Sequence, residues 1–323
     1  MINKYVILKN MINLEMFNLV AIKIISLGLL MLIGFAAGKA KILTNEANHT
    51  LAELLIKITL PCTMIMAMQR QFSKELLING GIVLAVSFVV YFAFMVIGAM
   101  LCRVMRVNPS KIGVWTFALV FPNVGYMGIP LLDAVYGEKI MFFVAMNNMA
   151  FNILCFTIGI TIMKGELFKK RKGSKVKQSF QFNFPIAATI LGLILFVLRI
   201  EIPEPVASTV KTAGDMTPPI SMFIIGSMLS RCKFKEVFAG AKDYIHIALR
   251  LLVLPAAVFF ALSSFIKDEF MLASLVMLSA MPAGTITAIF SVRYNADEVL
   301  ASKLVVLSTV LSIITIPIIA LLL

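Results

Sequence analysis

The residues best suited to bind a solute lie in one apolar stretch, residues 121–130, which reads FPNVGYMGIP. Its helix-breaking residues are two prolines and two glycines, namely Pro122, Gly125, Gly128 and Pro130. Proline removes a backbone hydrogen bond from a helix, and glycine leaves the backbone less restricted. Asn123 adds an amide donor and acceptor, and Tyr126 adds a hydroxyl. Because unpaired backbone groups cannot face lipid, the stretch predicts a broken transmembrane helix whose break binds a solute.

A weaker version of this stretch lies at residues 281–290, which read MPAGTITAIF. Pro282 and Gly284 loosen the backbone, and the hydroxyls of Thr285 and Thr287 can coordinate a cation or bond an anion. Either stretch alone also fits a proline kink whose polar side chains bond within or between helices. Two breaks at matching places in the chain favour one binding site that both helices touch near the centre of the membrane.

Lys57 and Pro61 form a second candidate region for substrate binding, one helical turn apart. A lysine buried in the membrane at this place would attract an anionic substrate. Glu53 lies four residues before Lys57, so an i,i+4 ion pair near the membrane surface is the simpler explanation for the lysine.

Three more polar residues fall in or beside apolar segments. Asp215 precedes Pro218 and Pro219. Inside the membrane it would be a proton or cation site, whereas outside it would cap a helix that begins at Pro218. Asn147 is too polar for lipid, and it either takes part in ion coupling or bonds to a neighbouring helix. Arg250 either snorkels to the membrane surface or braces the core.

The composition defines the class of protein. Of the 323 residues, 60% are hydrophobic and 14% are charged, and the mean hydropathy is +0.98. Soluble proteins average about 25% charged residues, so the chain is predicted to be an all-α polytopic membrane protein. The net charge of +13 is explained by basic residues on the cytoplasmic side rather than by a nucleic-acid partner. The sequence has no phosphate-binding loop, metal cluster or nucleophile–base pair, so we expect neither an enzyme nor a cofactor.

The apolar segments predict ten transmembrane helices, because about 20 apolar residues cross a bilayer. Helices 1 to 10 are expected at residues 17–37, 50–68, 76–102, 112–132, 140–163, 184–198, 206–229, 244–265, 270–292 and 300–322. Helix 7 is expected to be interrupted at Pro218 and Pro219. A basic connection, residues 164–182, separates helices 5 and 6.

The two halves of the chain repeat. Three landmarks recur at offsets of 158 to 160 residues, in the pairs Gly34 and Gly192, Pro61 and Pro219, and Pro122 and Pro282. The first repeat is residues 1–163 and the second is residues 183–323. With five helices in each half, the second enters the membrane from the opposite side, which gives an inverted-topology repeat.

The distribution of basic residues predicts the orientation. If the connection at 164–182 is cytoplasmic, the loops on that side hold about twice as many lysines and arginines as the loops on the other side. Most of this difference comes from that one connection. We therefore expect a multi-pass protein of the plasma (inner) membrane with both termini outside.

Four parts of the sequence resemble the auxin efflux carrier family, which includes bacterial malate and other organic-anion permeases. They are residues 122–137, residues 281–297, residues 215–226, and Arg250 followed by Pro255. The resemblance implies a scaffold of helices 1, 2, 6 and 7 and a transport domain of helices 3–5 and 8–10. Within the transport domain, the broken helices 4 and 9 cross. The resemblance also implies elevator-like alternating access and a homodimer. Where family members often carry an asparagine after the second crossover proline, this chain has Ala283.

These observations predict a secondary transporter for a small organic anion, such as the carboxylate malate. Its substrate would lie against the half-helix N-termini at the two breaks. Coupling to a proton, to sodium or to neither is compatible with the sequence. The alternatives are a sodium-coupled symporter similar to the bile acid carriers and a membrane sensor that binds a ligand without transporting it.

Overall fold

The computed structural model describes residues 22–165, 183–231 and 241–323, and within these ranges the chain forms helices joined by short turns. We number the helices to match the ten predicted segments, with a and b for the two parts of an interrupted helix. They are α1 Ile22–Lys39, α2 Asn45–Met68, α3 Lys74–Val104, α4a Ile112–Val120, α4b Val124–Tyr136, α5 Glu138–Met163, α6 Phe184–Leu198, α7a Glu204–Gly214, α7b Thr217–Ser230, α8 Lys242–Leu262, α9a Glu269–Ala280, α9b Ile286–Arg293 and α10 Glu298–Ala320. The predicted start of helix 1 and nearly all of the basic connection lie outside the described residues.

Six of these helices are long and apolar enough to cross a membrane, namely α1, α2, α3, α5, α8 and α10. Three shorter helices, α4b, α6 and α9a, are also apolar. Large apolar side chains such as Leu32 on α1 and Val89 on α3 are exposed, which suits contact with lipid. The chain is therefore a multi-pass membrane protein, and the number of ten crossings stays a prediction.

Polar side chains fix where several helices begin. The residues Thr44, Ser73, Asn183, Asp268 and Asp297 each accept a hydrogen bond from the backbone N–H three positions further on. Such an N-cap stabilises a helix by about 1 kcal/mol. Several predicted helices started a few residues late because their first turns are polar and carry no hydropathy signal.

Three prolines inside helices are each preceded by a π-helical turn. The turns are Leu55–Thr59 before Pro61, Val124–Gly128 before Pro130 and Leu249–Val253 before Pro255. In each turn the residue before the proline donates its N–H to the carbonyl five positions earlier. The wider turn accommodates a ring that would otherwise clash with the carbonyl of residue i−4. Helices α2 and α8 therefore continue through their prolines.

Helix 7 breaks earlier than predicted. The interruption falls at Asp215 and Met216, and Pro218 lies in the first turn of α7b. Proline is tolerated there because the first N–H groups of a helix have no intrahelical acceptor. The break thus precedes the proline pair instead of coinciding with it.

The helices pack as two groups. The first helix group is α1, α2, α6 and α7, in which α2 contacts α6 and both parts of α7. Close approaches hold this group together, since a Cβ on Gly34 of α1 would lie 2.6 Å from the Phe223 Cα of α7b. Likewise, a Cβ on Gly192 of α6 would lie 2.8 Å from the Met68 Cβ of α2. The second helix group is α3, α4, α5, α8, α9 and α10, whose members pack mainly on one another.

Candidate functional site

The breaks in helices 4 and 9 meet and pair with each other. The Asn123 N–H donates to the Pro282 carbonyl at 2.8 Å, and the Gly284 N–H donates to the Phe121 carbonyl at 2.9 Å. These two bonds form a short antiparallel bridge between Pro122 and Ala283. The predicted interruptions of helices 4 and 9 are therefore present and meet, whereas the crossing of the membrane by these two helices stays a prediction. We call this bridge and the residues beside it the crossover.

Further hydrogen bonds at the crossover satisfy other backbone groups that the breaks leave free. The Ala283 N–H donates to the Ser308 hydroxyl of α10 at 3.0 Å, and the Asn123 carbonyl accepts from the N–H groups of Met127 and Gly128. Because a buried N–H without an acceptor is costly, these bonds stabilise an irregular backbone inside the protein. The second helix group thus carries the crossover as one bonded unit.

Arg250 of α8 braces the crossover from within. Its side chain is completely buried. The Nη1 atom donates to the Leu119 carbonyl at 3.1 Å, and Nη2 donates to the Met281 carbonyl at 3.0 Å. Leu119 lies in the last turn of α4a and Met281 directly follows α9a. Of the two roles open to Arg250, the structure shows the core brace rather than the snorkelling side chain.

A cavity of about 80 Å³ lies beside the crossover. From the predicted site it is lined by Pro122, Asn123, Gly125, Tyr126, Gly284 and Thr285. Three buried polar atoms on its walls have no hydrogen-bond partner among the described residues, namely Asn123 Nδ2, the Tyr126 hydroxyl and the Thr285 hydroxyl. Unsatisfied buried donors cost about 1–3 kcal/mol each and are rare in native proteins. A solute with acceptor atoms would satisfy all three.

A chain of asparagines completes one wall of the cavity. Asn183 Nδ2, before α6, donates to Asn152 Oδ1 at 3.1 Å, and Asn152 Nδ2 donates to Asn148 Oδ1 at 3.0 Å. All three line the cavity, and they connect the first helix group to α5. Sequence reasoning did not assign them to the site. The sequence pattern that could have identified them is the i,i+4 spacing of Asn148 and Asn152, which places both on one helix face.

The structure separates Lys57 and Pro61 from this cavity. Its wall is formed instead by their neighbours Ile56 and Leu60. Lys57 forms an ion pair with Glu53 at 3.0 Å, and both side chains are half exposed. The reason is helical geometry, since Lys57 and Pro61 point away from the face of α2 that carries Leu60.

The other predicted site residues occupy different positions. The Pro282 carbonyl belongs to the bridge itself. Thr287 is completely buried in α9b and its hydroxyl has no partner in the described part of the chain, but it does not line the cavity. Asn147 lies beside the site in α5, where it accepts from the Tyr91 hydroxyl at 3.1 Å and donates to Ser87 at 2.8 Å. Asp215 is exposed in the break of helix 7, away from the crossover cavity.

Two vestibules open between the helix groups. The wide vestibule has a volume of about 500 Å³ and is lined by α7b, α9b and α10, with Arg231, Glu298 and Lys303 on its walls. Thr285 lines both this vestibule and the crossover cavity. The wide vestibule and the crossover cavity therefore adjoin at this residue.

The narrow vestibule has a volume of about 80 Å³ and is lined by α2, α4b, α5 and the break of helix 7. Charged residues surround it, including Asp133 and Asp215. The Glu138 carboxylate lies 3.0 Å from Lys211 Nζ and 4.0 Å from Arg70 Nη1. These ion pairs join α5 of the second helix group to the region of α7a and the end of α2.

Comparisons with known proteins match the chain to membrane transporters. A family model described as "Membrane transport protein" matches residues 19–181 and 171–320. A protein of Rhizobium meliloti (strain 1021) named "Putative malonate transporter" is 24% identical, over 89% of this chain and 90% of its own length. An uncharacterized transporter of Methanocaldococcus jannaschii is 23% identical, over 89% and 94%. One of Escherichia coli (strain K12) is 21% identical, over 82% and 85%.

Proposed function

The chain belongs to the membrane transport protein family, the auxin efflux carrier-like family that its motifs resemble, and we propose that it is a secondary transporter for a small organic anion. A dicarboxylate such as malate or malonate is the substrate class that fits best. The relative from Rhizobium meliloti named for malonate supports this choice. The family and the named relatives are transporters and not enzymes.

The observation that carries the proposal is the set of unpartnered donors at the crossover cavity. Asn123 Nδ2 can only donate, and the hydroxyls of Tyr126 and Thr285 are free to donate. Helices α4b and α9b both begin at the crossover. A helix N-terminus carries a partial positive charge and free N–H groups. Donors and positive helix ends together favour an anion over a cation or an apolar solute.

The second part of the proposal is alternating access between two inverted repeats. Helix 1 packs on α7b through Gly34, and helix 6 packs on α2 through Gly192. If helix 6 is the repeat partner of helix 1, and helix 7 that of helix 2, the contact of helix 1 with helix 7 corresponds to the contact of helix 6 with helix 2. The vestibules correspond in the same way. Helices 7, 9 and 10, with Asn45 of helix 2, line the wide one, and helices 2, 4 and 5, with the break of helix 7, line the narrow one. Both correspondences support an inverted repeat.

In this proposal the second helix group moves as an elevator against the first. Its movement closes the wide vestibule, opens the narrow one and carries the crossover with its anion. The excess of basic residues in the loops on the side of the wide vestibule supports a cytoplasmic location of that side. The described conformation is then the one that is open to the inside.

Substitution of Asn123 by alanine tests the site. The purified protein is reconstituted in liposomes, and uptake of radiolabelled malonate or malate is measured against an internal pool of the same anion. Loss of a hydrogen bond to a charged ligand costs about 1.5–3 kcal/mol, so we expect transport by Asn123→Ala at a given low concentration to fall at least tenfold. The matched control is Asn48→Ala, because Asn48 is buried in the first helix group and bonds to Ser227 away from the cavity.

The outcomes separate the possibilities. Wild-type flux in the Asn123→Ala protein would remove Asn123 from the site. If the wild-type protein moves neither anion but is stabilised by one of them against heat, it is a ligand-binding sensor instead of a carrier. If uptake requires external sodium, the symporter alternative is correct.

A further inference from the structure

Arg250 carries a full positive charge at a place where none of the described carboxylates balances it. The side chain is completely buried, and an arginine stays protonated in proteins. Its bonds go to the Leu119 and Met281 carbonyls, and none of the described carboxylates lies within ion-pair distance of it. A buried charge needs a compensating charge or dipole. We therefore ask which dipoles end at the two carbonyls.

The compensating charge comes from the ends of two helices. Leu119 and Met281 lie at the C-terminal ends of α4a and α9a. Each helix C-terminus is equivalent to roughly −0.5 elementary charge, so the two together offset roughly the +1 of the guanidinium. The N-termini of α4b and α9b at the same crossover contribute roughly +0.5 each. With Arg250 in place, the crossover therefore keeps roughly one positive charge for a solute.

Without Arg250, the crossover would be close to neutral. Carbonyls freed by a broken helix and the C-terminal ends of half-helices are the groups that bind sodium in coupled transporters. Arg250 occupies such carbonyls in this chain, one from each broken helix. It lies in the π-helical turn Leu249–Val253 of α8.

We propose that Arg250 takes the place of a co-transported cation at the crossover, so that the site binds its anion without sodium. The inference rests on the proposed function, since it concerns the binding of that anion. It assigns Arg250 the role of a positioning residue and fixed counter-charge. The direct contacts of the anion remain with the cavity residues.

The test measures malonate binding to the purified protein by calorimetry, in sodium chloride and in choline chloride. For the wild type we expect the same dissociation constant in both salts, within twofold. Arg250→Met removes the charge but keeps much of the length, and it should weaken binding more than tenfold in choline, which corresponds to about 1.4 kcal/mol. Arg250→Lys keeps the charge and should lose less than Arg250→Met.

Two further arms separate a charge effect from a loss of packing. Arg250→Ala leaves space beside the freed carbonyls, and millimolar guanidinium chloride should restore its malonate affinity at least threefold in choline, whereas a purely structural brace would not be restored. Lys57→Met is the matched control, since Lys57 also lies in a membrane helix but pairs with Glu53 away from the cavity. It should bind malonate as the wild type does in both salts.

Each outcome decides between the two proposals. A sodium requirement in the wild type overturns the role of Arg250 and leaves anion transport standing, as does equal binding by Arg250→Met and the wild type. If Arg250→Met or Arg250→Ala does not fold, the wild-type salt series and Arg250→Lys decide alone. If the wild type binds neither malonate nor any other small carboxylate in either salt, the proposed function fails and this inference fails with it.

Discussion

Replacing Glu138 with glutamine tests the proposed movement at the narrow vestibule. Glu138 begins α5 in the second helix group, and its carboxylate pairs with Lys211 of α7a and with Arg70, which lies two residues after α2. Both ion pairs cross from one helix group to the other. They must break before the groups can separate at this end and the narrow vestibule can widen.

The size of the effect follows from the exposure of the partners. The side chains of Glu138 and Lys211 are 68% and 51% exposed, so water screens their attraction. Exposed pairs contribute about 0.5 kcal/mol each, and the two pairs together contribute about 1 kcal/mol. Glutamine keeps the size of the side chain but removes its charge. A change of about 1 kcal/mol shifts a two-state equilibrium about fivefold toward the form with the open narrow vestibule.

A cysteine in the narrow vestibule reports this shift. In a protein whose native cysteines have been replaced, Met66→Cys lies on the wall of that vestibule. Its rate of labelling by a maleimide should rise about fivefold when Glu138→Gln is added. Glu53→Gln is the matched control, because its ion pair with Lys57 lies within α2 and crosses no boundary. An unchanged rate, or the same rise in the control, would refute the reasoning.

Two more substitutions test how the backbone is held, with thermal unfolding as the measurement. Ser308→Ala removes the acceptor of the buried Ala283 N–H and should cost about 1–3 kcal/mol. Ser291→Ala, whose hydroxyl donates within its own helix, should change the stability little. Equal losses of stability in the two variants would contradict the role of Ser308 as an acceptor at the crossover. Gly226→Ala should cost about 1–3 kcal/mol, because its Cβ would overlap the carbonyl of Met31. Gly81→Ala on the open face of α3 should be neutral or slightly stabilising, and an unchanged midpoint for Gly226→Ala would contradict the close packing of α1 on α7b.

The sequence predicted the breaks because proline acts on its own backbone. Pro122 and Pro282 each remove a backbone hydrogen bond from a helix, and the matching places of the two breaks indicated that they would meet. Pro61, Pro130 and Pro255 show the limit of this rule. A π-helical turn before each proline keeps the helix continuous, and no local residue pattern distinguishes these prolines from the two that break a helix.

The rest of the site depends on how helices rotate against one another. Lys57 and Asn148 both lie in apolar helices, yet Asn148 faces the cavity and Lys57 does not. Hydropathy is nearly uniform along such helices, so it does not show which face is buried. The role of Arg250 was equally open, because its acceptors are the backbone carbonyls of Leu119 and Met281. Every residue has a backbone carbonyl, so the sequence does not show which ones bind the arginine.

The bridge between Pro122 and Ala283 also has a consequence for biogenesis. During synthesis the Asn123 N–H enters the membrane about half a chain before its acceptor, the Pro282 carbonyl, has been made. Until then this N–H needs another acceptor, because an unsatisfied backbone group is costly in hydrocarbon. The second half therefore does more than add helices, since its arrival replaces that temporary acceptor with the permanent one.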